Sequence, residues 1–321
     1  MNIQKPILLS LALASALGAG CATTLGDKEI VRGSDQFEFT YRVKLPEMMN
    51  AAQLWLPLAR SDAFQTVKVV GISTAMKYQQ VNDRDYGNQI LILSPGARDS
   101  GKTIEVKYTV RRTEKSAYAS ADKDAMRFLK PERLVPLNKT FKSIADEATA
   151  GRQTAMDKAR ALYDHTLGQM KYDKSGTGWG KGDAMYACDA KTGNCTDFHA
   201  YFIALARSVG VPARFAIGYT IPADKDEGAI AGYHCWAEFL ADGKWVPVDI
   251  SEASKQPALA EYYFGHHPAN RFEFTQGRDL VVEPASANGP LNFLVYPLLE
   301  VAGKVVKTEN EFSFKRVKAK L

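Results

Sequence analysis

The chain has 321 residues, 45% of them hydrophobic, and a formal net charge of +5 at pH 7. That length is ample for a sizeable core and suits two structural parts. A charge so small for the length excludes the basic footprint of a nucleic-acid binder, so no nucleic acid is expected as a partner.

In chain order, Lys5 precedes an apolar stretch over 7–17, and Gly18-Ala19-Gly20-Cys21 then places small residues before a cysteine. The stretch is too short to span a bilayer and has the pattern of a secretory signal, assigned to residues 1–20. It resembles a bacterial lipoprotein signal, which implies a membrane tether through lipidated Cys21. Leu17 stands one position further from that cysteine than the usual lipobox has it, so ordinary cleavage with periplasmic release is the alternative. Ala22 and Thr23 put no aspartate at the second position, which by resemblance to enterobacterial sorting rules implies the periplasm and an outer-membrane anchor.

After a linker over 21–34, residues 35–115 alternate apolar and polar positions in short runs at 37–43, 53–56, 66–69, 89–93 and 103–110. That period predicts an antiparallel β-sandwich. Beyond 122 the period becomes helical, over 138–148 and 154–170, the second placing Met156, Ala159, Leu162, Tyr163, Leu167 and Met170 on one side. The stretch 172–189, with Gly176, Gly178, Gly180 and Gly182, is a loop by composition. It lacks the Lys-Ser/Thr ending of a phosphate-binding loop, so no nucleotide cofactor is expected. After Tyr262, short strand-like pieces at 272–274, 280–282, 294–296 and 311–314 are expected to complete the sheet of a second domain, 120–321. Lys315, Arg316, Lys318 and Lys320 are assigned to a solvated basic tail.

The candidate chemistry lies in Gly193-Asn194-Cys195-Thr196-Asp197-Phe198-His199 and two later segments. Asn194 is placed to cap a helix, Asp197 follows as the first-turn acid, and Phe198, Tyr201, Phe202, Leu205 and Ala206 recur at helical spacing. Cys195 would then sit in the first turn, where the helix dipole favours a thiolate. His234 can take the thiol proton and return it to a leaving amine. Asp249 ends the apolar run 245–248, and pairing of that run with the strand starting at His234 would place the carboxylate beside the imidazole. Asp197 is assigned a structural role. The Cys195 N–H is one candidate oxyanion donor, and a second is sought in 172–189, with Trp179 and Tyr186 as candidates.

A rival chemistry is a zinc site of Cys195, His199, His234 and Cys235, since zinc prefers thiolates and imidazoles. Adjacent strand residues such as His234 and Cys235 point to opposite faces, which counts against it. Export would promote pairing among Cys188, Cys195 and Cys235. A Cys188–Cys235 bond would spare the candidate nucleophile and a Cys188–Cys195 bond would block it; spacing does not choose, and all three are carried as reduced or undecided.

Over 171–261 the chain resembles the transglutaminase-like cysteine enzymes, whose triad residues are arranged as in papain. The matching residues are Gly193-Asn194-Cys195-Thr196-Asp197, then Ala204 to Phe215 with Gly218-Tyr219, His234-Cys235-Trp236-Ala237-Glu238, and Trp245-Val246-Pro247-Val248-Asp249. The resemblance implies an α+β papain-like catalytic domain behind the sandwich, with Cys195 as nucleophile, His234 as general base and acid, and Asp249 as orienter. It also implies acyl transfer from a peptide or protein amide through a thioester, without a cofactor. Given export, the expected action is that of an amidase or peptidase on cell-envelope peptides; protein cross-linking, or a non-catalytic binding module on the same fold, are the alternatives. Two departures are visible: Asp249-Ile250-Ser251 stands where many members have Asp-Pro-Thr, and His199 stands where a small or apolar residue is common.

Overall fold

The computed structural model describes residues 30–119 and 124–317. The signal-like segment 1–20, Cys21 and the last lysines of the basic tail therefore lie outside the described residues.

Three five-stranded antiparallel sheets form the body. The first has the order Glu227–Ala229, Glu309–Arg316, Ser34–Lys44, Thr103–Thr113, Gln65–Ser73. Strict alternation in Ser34–Lys44 turns Phe37, Phe39, Tyr41 and Val43 inward and the polar residues between them outward. A second sheet, whose buried residues share a hydrophobic core with the first, has the order Lys304–Val306, Leu298–Val301, Ala52–Leu58, Gln89–Leu93, Tyr78–Asn82. Together they are the expected sandwich. The last strands of the chain belong to it, which corrects the expectation that pieces after Tyr262 complete the second domain's sheet: only Arg271–Gln276 does so. The reason is the core-facing Phe312, which packs on Phe39 and Tyr41 of the first sheet, with Phe314 buried in the same core.

The third five-stranded sheet, which carries the candidate residue His234 and is called the catalytic sheet after the domain expected there, has the order Arg271–Gln276, Ala213–Thr220, Tyr233–Ala241, Lys244–Val248, Tyr118–Ala119. Its edge strand Tyr118–Ala119 pairs with Trp245 and Lys244, so the chain leaving the sandwich enters the catalytic sheet before the expected start at 120. Among the described residues six α-helices are found, in chain order α1 Lys139–Ala148, α2 Ala155–Gln169, α3 Ala184–Ala190, α4 Cys195–Ser208, α5 Ile250–Lys255 and α6 Ala260–Tyr263. The first two begin at Asn138 and Thr154, whose side chains accept from Phe141 N–H and Asp157 N–H. Helix α4 is buried almost along its whole length, packed on the catalytic sheet and against α1, α2, α3 and α5.

The sandwich and the catalytic sheet share one hydrophobic core. Phe39 meets Phe272 at 5.0 Å and Tyr219 meets Phe312 at 4.6 Å between ring centroids. A buried ionic group reinforces the joint: Lys115 Nζ lies 2.8 Å from Glu238 Oε1 and 3.1 Å from Glu273 Oε2, and Arg214 completes the pairing of Glu238.

Candidate active site

Asn194 starts α4 with a reciprocal capping box. Its Oδ1 accepts from Thr196 N–H at 2.9 Å, and Asp197 Oδ2 accepts from Asn194 N–H at 2.9 Å. Cys195 thereby stands at the first helical position, 3% exposed, as its sequence context predicts. Asp197 does more than cap. Its carboxylate also accepts from Gly180 N–H at 2.7 Å and Gly182 N–H at 3.0 Å, folding the glycine-rich loop onto the helix start. A side chain at Gly193 would bring a Cβ within 2.5 Å of Asp197, so this close approach demands glycine. From the other side, Asn292 Nδ2 and Arg278 Nη2 hold Lys181 O at 2.7 and 3.3 Å.

His234 lies near the start of the central strand Tyr233–Ala241, opposite Gly218. Gly218 is itself obligatory, because a Cβ there would come within 1.9 Å of Phe272 O across a bulged pairing. The strand Lys244–Val248 runs antiparallel to Tyr233–Ala241 and ends at Asp249, which caps α5. Asp249 Oδ1 accepts from Glu252 N–H and Ser251 Oγ, each at 3.1 Å, so Asp249-Ile250-Ser251 makes a well-bonded turn without the proline of related sequences. The other oxygen, Oδ2, is 2.6 Å from His234 Nε2. With Nε2 on the carboxylate, Nδ1 is the nitrogen available to sulfur, and the ionisations of His234 and Cys195 favour each other. The structure thus brings together all three residues singled out in the sequence.

Burial by itself raises the Cys195 thiol pKa, but the neighbouring Cys235 and His234, the latter through its charge as well, outweigh it and hold it well below the usual thiol range. Burial alone would lower the His234 pKa, yet the charge and hydrogen bond of Asp249 push it up to about 9. For Asp249 burial opposes ionisation, and His234 together with Arg271 wins, keeping the carboxyl well below the ordinary range. Arg271 is fully buried with its Nη2 at 3.5 Å from Asp249 Oδ2. Nothing in the sequence marks it, since it comes from a strand beyond the matched segments.

The zinc arrangement does not form. His199 Nδ1 is 2.7 Å from Cys195 O and its Nε2 accepts from Ile250 N–H at 3.1 Å, so neither nitrogen is open to a metal, and His234 Nε2 is held by Asp249. Among the described residues no group of three or more His, Cys, Asp or Glu is placed to hold a metal ion. Cys188, Cys195 and Cys235 are free thiols, Cys188 apart from the others on α3. The Cys235 sulfur lies 3.8 Å from His199 Nδ1, whereas His234 beside it bonds Asp249. Of the two rings proposed as oxyanion donors, Tyr186 packs against Gly178 and Trp179 lies beneath Lys174 Nζ at 5.9 Å. The Cys195 N–H, at a helix start, has no intrahelical acceptor to occupy it.

Residues 142–250 match the family model of the transglutaminase-like superfamily, a span holding Cys195, His234 and Asp249. An uncharacterized protein of Haemophilus influenzae is 24% identical, the match covering 98% of this chain and 99% of that protein. The uncharacterized protein YebA of Bacillus subtilis is 27% identical over 38% of this chain and 19% of its own length. A crystal structure from Cytophaga hutchinsonii, described as a "Putative Cysteine Protease", shares the fold with a TM-score of 0.61 at 15% identity, covering 90% of this chain and 92% of that one. The family match over 142–250, which holds the candidate thiol, imidazole and carboxylate, and the geometry that joins them agree: this segment is a transglutaminase-like superfamily domain, within a chain whose fold is shared with the Cytophaga hutchinsonii structure.

Proposed function

We propose that the protein is a cysteine amidase or peptidase acting on cell-envelope peptides, with Cys195 as nucleophile, His234 as general base and acid, and Asp249 as orienter. The observation that carries the reading is the 2.6 Å bond from His234 to Asp249, beside a buried thiol whose pKa His234 holds down. In the first half-reaction the Cys195 sulfur attacks the amide carbonyl, forming a C–S bond, and the oxyanion is received by donors that include the Cys195 N–H. The C–N bond then breaks as His234 gives its proton to the departing amine, leaving a thioester. In the second, His234 takes a proton from water, the hydroxide oxygen attacks the thioester carbonyl, the C–S bond breaks and the acid leaves. Asp249 keeps one tautomer and one ring orientation throughout and stabilises the imidazolium.

The proposed place of action is the periplasm, with lipidated Cys21 as an outer-membrane anchor, on the strength of the signal pattern in 1–21. A second reading, amine incorporation and cross-linking, is favoured by one observation: Cys195 and His234 are only 3% and 6% exposed, and a dry site disfavours water as acceptor. Incubation with peptidoglycan-type peptides, with and without a primary amine, tests both. Release of acid by the wild type and none by Cys195→Ala is the expected result. Amine incorporation without acid release sinks the hydrolase reading.

A further inference from the structure

His199 is fully buried one helical turn after Cys195, and nothing in the reaction above uses it. Its two nitrogens have opposite duties. Ile250 N–H can only donate, so Nε2, at 3.1 Å, must accept; the proton then sits on Nδ1, which donates to Cys195 O at 2.7 Å. A cationic ring would set an N–H against an N–H, so the bridge requires the neutral tautomer, and burial lowers the pKa in that direction. The groups facing the ring are Asp249 Oδ1 at 3.8 Å from Nε2 at the start of α5, the Cys235 thiol at 3.8 Å from Nδ1, and His234 on the same strand as Cys235.

The atoms joined are far apart in sequence. One is the carbonyl of the residue carrying the thiol; the other is the amide that follows the carboxylate partner of His234. We propose that His199 is a positioning residue, a neutral imidazole strut that fixes the separation between the Cys195 turn and the Asp249 turn and thereby seats His234 between them. This rests on the triad reading given above. Without the strut the two turns drift, His234 loses simultaneous contact with sulfur and carboxylate, and the thiolate is less favoured. The side-chain amide nitrogen of asparagine stands where Nδ1 stands, and the amide oxygen of glutamine reaches the place of Nε2. His199→Asn therefore keeps the Cys195 half of the strut, His199→Gln keeps the Ile250 half, and His199→Phe keeps neither.

The test is iodoacetamide alkylation of Cys195 at graded pH, read by peptide mass, in wild type, these three variants and His234→Ala. The midpoint is expected to rise by about one pH unit in His199→Phe, a roughly tenfold loss of thiolate at pH values below the midpoint, with Asn and Gln between it and wild type. A folded His199→Phe that alkylates with the wild-type midpoint overturns the proposal while leaving the triad intact. A wild-type midpoint in the ordinary thiol range, unmoved by His234→Ala, instead removes the triad reading. Should the variants not fold, nitrogen-15 NMR of histidine-labelled wild type decides: the Nδ1–H tautomer, unchanged from pH 5 to 8, supports the strut, and an Nε2–H or cationic His199 overturns it.

Discussion

A thiol buried to 3% would ordinarily be inert, and the depressed pKa of Cys195 comes from its neighbours rather than from exposure. The sign of the resulting pH dependence follows from two directions. Thiolate appears as pH rises through the lowered Cys195 pKa, and imidazolium, the acid that expels the amine in the proposed reaction, is lost as pH rises through about 9 at His234. Amide cleavage is therefore expected to show an acid limb below the usual thiol range and an alkaline limb near pH 9. Alkylation, which needs only thiolate, should lack the alkaline limb. A pH–rate profile of each on the same preparation checks this, and a shared alkaline limb contradicts the assignment of His234 as acid. At this scale the candidates Cys195, His234 and Asp249 could be picked out by residue type and order, whereas the contacts of Arg271 and of His199 could not, because both depend on partners brought in by distant strands and turns.

At the level of elements, the start of α4 is a junction between a helix cap and a loop. The Asn194 cap and the first-turn acid Asp197 are readable, since capping is local chemistry within a few residues. What the cap also does, holding Gly180 and Gly182 through the same carboxylate, is not local. Removing a buried acceptor of three N–H groups leaves donors unpaired, so Asp197→Ala should cost about 3 kcal/mol of stability by urea denaturation. It should also speed amide hydrogen exchange in 176–182 more than in α1 or α2. Equal exchange in the two places would mean the loop is held by Arg278 and Asn292 alone.

For the whole molecule, the two parts are interleaved rather than strung in series. Strand Glu309–Arg316 inserts between Ser34–Lys44 and Glu227–Ala229, so a segment from the catalytic half and the end of the described chain both close the first sheet. Truncation before Leu298 would remove Phe312 and Phe314 from the shared aromatic core and expose the inner flank of Ser34–Lys44 as an edge. Such a truncated chain is expected to be insoluble or molten, seen as loss of near-ultraviolet circular dichroism. A folded truncation would show that the sandwich closes without its last strands.

Local interactions of short sequence range were determined by the sequence alone: the alternation of the sandwich strands, the capped helices α1, α2 and α4, and the identity of the thiol, imidazole and carboxylate. Tertiary structure decided what joins over long range. It assigned the final strands to the sandwich, made Tyr118–Ala119 an edge of the catalytic sheet, and took both nitrogens of His199 for backbone bonds so that no zinc set remains. The physical reason is that periodicity and capping act within a turn or a strand, while sheet pairing and buried hydrogen bonds depend on which distant groups must be satisfied once the core closes.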